Sequence, residues 1–73
     1  MFHKNLKRYR EAAGLTQVTF AEALGAPLRT VQGWEQGRRE PSLAMLRPIA
    51  RVLGVLVDDL LAETATPKKK TGK

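Results

Sequence analysis

Arg29, Gln32, Gly33 and Gln36 are spaced i, i+3, i+4 and i+7, which places them on one face of a helix. A guanidinium and two carboxamides on a single face offer paired hydrogen-bond donors and acceptors, not a nucleophile or a proton shuttle. Arginine matches guanine O6 and N7 with two parallel hydrogen bonds, and glutamine matches adenine N6 and N7 in the same way. Gly33 costs helix stability of about 1 kcal/mol relative to alanine, but it would let the backbone come close to a base edge. Val31 and Trp34 claim the opposite side as apolar anchors. The bland account of the polar face is an ordinary solvated surface.

The other chemistries are poorly supplied. Cysteine is absent, His3 is the only histidine and Ser42 the only serine. Thiolate metal sites, disulfides and cysteine nucleophiles are therefore excluded, and neither a Ser-His-Asp nor a zinc-hydrolase constellation can be assembled. No enzyme, metal or cofactor is expected. The net charge is +6 over 73 residues, which favours a polyanionic partner. No apolar run approaches the roughly 20 residues of a membrane span, and the N-terminus lacks a signal-peptide core. The expected setting is the cytoplasm, with no membrane partner.

The elements that must position these side chains are helical. Leu6, Tyr9 and Ala13 define a first amphipathic helix near residues 4–13, stopped by Gly14. Thr16 can cap a second helix over 17–24, with Phe20, Ala21 and Leu24 inward and Gly25 as its stop. Pro27 suits the first position of a third, where no donor is needed. Gly37 ends it. Pro41-Ser42 opens a fourth helix with Leu46, Ile49, Ala50 and Leu53 on one stripe, closed by Gly54. Pro48 lies inside that stripe and predicts a bent or late-starting helix. Val57, Leu60 and Leu61 form a short fifth helix, with Asp58 and Asp59 in its positive first turn. No segment alternates as a strand. The expected fold is all-α, a compact five-helix bundle.

The charge divides the chain. Residues 1–51 hold nine Lys or Arg against four Glu, residues 52–63 hold three acids and no base, and residues 64–73 hold four lysines. The last block has no large apolar side chain and is expected to be a disordered basic tail, leaving residues 1–63 as the folded domain. Three accounts of the tail stand: a solubility segment, an arm that follows phosphates, or a basic nuclear address.

Gly14-Leu15-Thr16-Gln17, Phe20-Ala21, Leu24-Gly25, Thr30-Val31, Trp34-Glu35-Gln36-Gly37, Pro41-Ser42, Ile49-Ala50, Leu53-Gly54 and Val57-Asp58-Asp59-Leu60-Leu61 together resemble the helix-turn-helix domain of the Cro and phage-repressor class, also called the XRE family. The resemblance covers about residues 6–61. It implies a lambda-repressor-like bundle that binds operator DNA as a dimer, with helix 2 across the backbone and helix 3 in the major groove. Leu28, Arg29 and Thr30 then start the recognition helix, and with Gln32 and Gly33 they are the expected base contacts. Leu28 either touches a thymine methyl or packs beside helix 2. The Thr30 hydroxyl either meets DNA or makes a local backbone bond. Thr16, Gln17, Gln36, Arg38 and Arg39 are the expected phosphate contacts, although Gln17 also reads as a solvated helix start. Pro27 replaces a common capping serine. Arg10 and Glu35 match family positions that form an internal ion pair between helices 1 and 3.

The resulting expectation is a sequence-specific DNA-binding transcriptional regulator, a repressor acting by occupancy on double-stranded DNA. Dimerisation is expected through the apolar C-terminal region, where Leu56 replaces a polar cap beside Val55 and Val57. The rival expectations are an antitoxin-type protein that also binds a toxin partner, and an architectural or RNA-binding protein that uses bulk charge.

Overall fold

A computed structural model describes residues 2–62, and five helices account for most of them. They are α1 (Phe2–Ala12), α2 (Gln17–Leu24), α3 (Leu28–Glu35), α4 (Leu43–Leu53) and α5 (Val57–Leu61), with no strand among the described residues. The basic tail expected over residues 64–73 lies outside the described residues, as does Glu63.

Each helix gives one fully enclosed side chain to a common core. Leu6, Phe20, Val31, Ile49 and Leu60 all have 0 % exposure. Trp34, Ala21, Ala50 and Leu53 close around them, and Tyr9, Leu15 and Leu24 pack at the margin. α1 lies against α3 and α5, and α2 against α3 and α4. α3 is thus clamped from two sides.

Local signals explain most boundaries. The Thr19 N–H donates to Thr16 Oγ1 at 3.0 Å, and the Thr16 N–H donates to Thr19 Oγ1 at 2.9 Å. This reciprocal box satisfies two helix-start donors. Gly25 ends α2 in the left-handed region, at φ 72°, and donates to the Ala21 and Glu22 carbonyls. Only glycine takes that conformation without strain, so the turn into α3 needs just Gly25, Ala26 and Pro27. At the start of α5 the Leu56 N–H donates to Asp59 Oδ2 at 2.9 Å.

Four expectations change. α1 starts at Phe2 and ends at Ala12, so Ala13 is an exposed turn residue and not part of the buried stripe. Asn5 and Arg10 fill that stripe instead, at 4 % and 7 % exposure. Pro27 is the N-cap of α3, not its first residue, and its carbonyl accepts from the Thr30 N–H at 3.0 Å. α3 ends at Glu35, before Gly37, leaving Gln36 as its C-cap. α4 does not start late, because it runs from Leu43 to Leu53 with Pro48 inside it. The burial of Leu46, Ile49, Ala50 and Leu53 outweighs the single backbone bond that Pro48 cannot donate.

Candidate nucleic-acid interface

α2 and α3 are separated by three residues and pack on one another, which sets α3 beside the start of α2. Val31 and Trp34 bury into the core, and Arg29 and Gln36 are exposed on the other side. Gln32 is half-buried. A polar face with its apolar back anchored is the arrangement that the residue spacing predicts.

The orientation of α3 is set by a buried ionic contact. Arg10 Nε donates to Glu35 Oε2 at 2.6 Å and Nη2 donates to Oε1 at 3.2 Å, a two-point contact between α1 and α3. The side chains are 9 % and 3 % exposed. The remaining Arg10 nitrogen, Nη1, donates to the Leu15 carbonyl at 2.7 Å, tying the turn before α2 to the same guanidinium. A buried pair of this kind is tolerable only when its other polar atoms are also satisfied, and here each guanidinium nitrogen has an acceptor.

Gln17 joins this network. Its Nε2 donates to Glu35 Oε1 at 3.1 Å, and its Oε1 lies 3.5 Å from Gln32 Nε2. It is half-buried, so the solvated helix-start reading does not describe it. Glu35, the last residue of α3, thereby ties the first residue of α2 to the end of α3, a coupling that residue spacing does not reveal. Thr16 is exposed, with its hydroxyl engaged in the α2 cap.

The first turn of α3 presents Leu28, Arg29 and Thr30. Leu28 is 38 % exposed, so part of its side chain is available beyond its contacts. Arg29 is exposed and Thr30 half-buried. Among the described residues, the Thr30 hydroxyl makes no local backbone bond. Arg38 and Arg39 follow in an exposed loop whose two N–H groups both donate to the Gly33 carbonyl, at 3.0 and 3.2 Å.

Gly33 departs from its expected state. It is buried, although it belongs to the outward face. A Cβ placed there would meet Arg39 Cδ at 3.2 Å, Cγ at 3.5 Å and Cβ at 3.6 Å. The space that the glycine leaves is filled by the Arg39 stem, and an open approach of the Gly33 backbone to a base is blocked. No local sequence signal pairs these residues, since the loop must first fold back over α3.

Among the described residues, no group of three His, Cys, Asp or Glu side chains could hold a metal ion, and no helix is long and apolar enough to cross a membrane. Comparison with known proteins agrees with the geometry. The family model described as helix-turn-helix matches residues 6–60. An uncharacterized HTH-type transcriptional regulator of Methanocaldococcus jannaschii is 38 % identical over 55 residues, spanning 75 % of this chain and 83 % of the relative. The restriction-modification controller protein C.AhdI of Aeromonas hydrophila superposes with a TM-score of 0.76 at 34 % identity, covering 81 % of this chain and 89 % of that one. SinR, a Bacillus subtilis master regulator for biofilm formation, superposes in its complex with DNA with a TM-score of 0.80 at 28 % identity, covering 85 % and 100 %.

Proposed function

The chain belongs to the Cro and phage-repressor class of helix-turn-helix proteins, and from that membership we infer a sequence-specific DNA-binding transcriptional regulator that represses by occupying its operator. The observation that carries this reading is the division of α3: Val31 and Trp34 are buried, Glu35 is locked to Arg10, and Arg29 and Gln36 face outward. A helix fixed so firmly on one side can present base-reading groups at a defined angle on the other.

Arg29 contacts a guanine, with Leu28, Thr30 and Gln32 beside it on the base edges. The N-terminus of α2, with Thr16 and Gln17, approaches a phosphate, because helix-start N–H groups and the macrodipole favour an anion there. Gln36 and Arg38 hold the backbone at the far end of α3. The setting is the cytoplasm, with duplex DNA as the partner.

The regulator acts as a homodimer. Leu56, the N-cap of α5, and Leu61, its last residue, are 69 % and 51 % exposed, an apolar C-terminal surface that a second copy would cover. Two-fold symmetry would set the recognition helices one helical turn of duplex apart, about 34–36 Å. Selection of bound sequences from random duplexes at physiological salt tests the reading. An enriched palindrome is expected, and retention of duplexes with no shared sequence would overturn it in favour of bulk-charge binding.

A further inference from the structure

The outward face of α3 lacks one side chain, and another element supplies it. Gly33 lies one helical turn beyond Arg29, at i+4, on the face away from Val31 and Trp34. Its burial comes from the loop after the helix. The three atoms nearest to a Cβ at this position are the successive carbons of the Arg39 stem. The Arg38 and Arg39 N–H groups both bond to the Gly33 carbonyl, so the loop is fastened to the residue on which the stem rests. The Arg39 guanidinium is bonded directly to the closest of those carbons, Cδ, so it continues a stem laid over the helical face that also carries Arg29. Among the described residues, no carboxylate lies within ion-pair distance of it.

We propose that Arg39 is a base-reading residue, specificity-determining at one G·C pair of each half-site, and that Gly33 is the seat that carries its stem across the recognition helix. The inference rests on the reading of α3 as the base-reading helix. It reverses the sequence expectation that Arg39, like Arg38, is a phosphate contact. A phosphate requires only positive charge near the flank of the groove, which any mobile loop arginine supplies. A guanine O6/N7 pair requires a planar fork held at a fixed angle. The seat supplies that restraint, because the aliphatic stem packs on Gly33 while, among the described residues, the fork has no carboxylate partner. A larger residue at position 33 would occupy the seat and push the stem aside.

The test uses the full chain on its selected duplex, on all single-substituted versions of that duplex, and on a scrambled duplex of equal length, at one salt concentration. Arg39→Lys keeps the charge and removes the fork. Its affinity for the scrambled duplex is expected to stay within about twofold, while preference at one G·C pair per half-site falls about tenfold or more. Gly33→Met, which fills the seat and leaves Arg39 in the chain, is expected to relax the same base pair. A uniform loss on every duplex for Arg39→Lys would make Arg39 a phosphate contact and overturn the proposal. So would unchanged affinities throughout. Relaxation by Arg39→Lys with the same base pair intact in Gly33→Met would overturn the role of the seat. A wild-type chain that prefers no duplex would overturn the reading of α3 itself, whereas failure at Arg39 alone leaves that reading standing.

Discussion

Glu35 is the residue on which the candidate interface depends most, although its side chain is only 3 % exposed. Its two carboxylate oxygens accept from Arg10 on α1, and Oε1 also accepts from Gln17 on α2. Glu35→Ala leaves the buried Arg10 guanidinium with only the exposed Glu11 carboxylate, 4.0 Å away, and is expected to destabilise the fold by on the order of 3 kcal/mol. Chemical denaturation of both single variants and of the double variant with Arg10→Ala checks this, and additive effects would mean that the pair is not coupled. Arg29 is the opposite case, exposed and unimportant to the core. Arg29→Ala is expected to cost about 1–3 kcal/mol on the preferred duplex and to relax one base pair per half-site. Arg38→Ala should weaken binding to all duplexes by similar factors, as a phosphate contact does. Matched affinities on preferred, substituted and random duplexes separate the two behaviours.

At the scale of elements, α5 is too short to hold itself together. A helix of five residues has little internal hydrogen bonding and depends on its neighbours. Leu60 anchors it in the core, and Asn5 on α1 satisfies its last carbonyls: Nδ2 donates to the Leu60 carbonyl at 2.9 Å and to the Ala62 carbonyl at 2.7 Å. Asn5→Leu, similar in size and without donors, leaves those acceptors without the amide. A loss of about 1–3 kcal/mol is expected, concentrated in α5, and amide exchange of the α5 backbone should accelerate more than that of α2. Equal acceleration across the bundle would show that Asn5 supports the core generally and not this one element. Asn5 escaped the sequence reading because a polar residue beside Leu6 does not register in an apolar repeat. Its role appears only when α5 packs back against α1.

For the whole molecule, the surface left over after folding matters as much as the core. Leu56, on the connection into α5, is 69 % exposed, and Val55 and Val57 beside it are only half-buried. Leu56→Asp places a charge on this surface without touching the enclosed side chains. The helical content is expected to be retained and self-association to weaken, as measured by sedimentation of both proteins across a concentration series. An unchanged dimer would move the interface elsewhere. Weaker dimerisation would in turn lower affinity for a palindromic site more than for a half-site, since only the dimer engages both halves at once.

Apolar spacing together with the caps and stops determined the five helices, their approximate limits and the division of α3 into a buried and an outward side. Those properties are local: Val31 and Trp34 lie three residues apart, and the caps at Thr16 and Gly25 act within one turn. Resemblance to known domains supplied the Arg10–Glu35 pair, which spans 25 positions and has no local signal. Only the tertiary structure decided what the remaining polar residues do. Gln17 lies with Glu35 because α2 and α3 pack at a particular angle, and Asn5 meets α5 because α1 and α5 are neighbours. Pro48 is carried inside an unbroken α4 because the buried face of that helix outweighs one missing hydrogen bond. Gly33 reads in the sequence as an opening toward DNA, but folding fills that opening with Arg39. A side chain brought back by a loop leaves no trace in helical periodicity, which describes each element before any other has been placed against it.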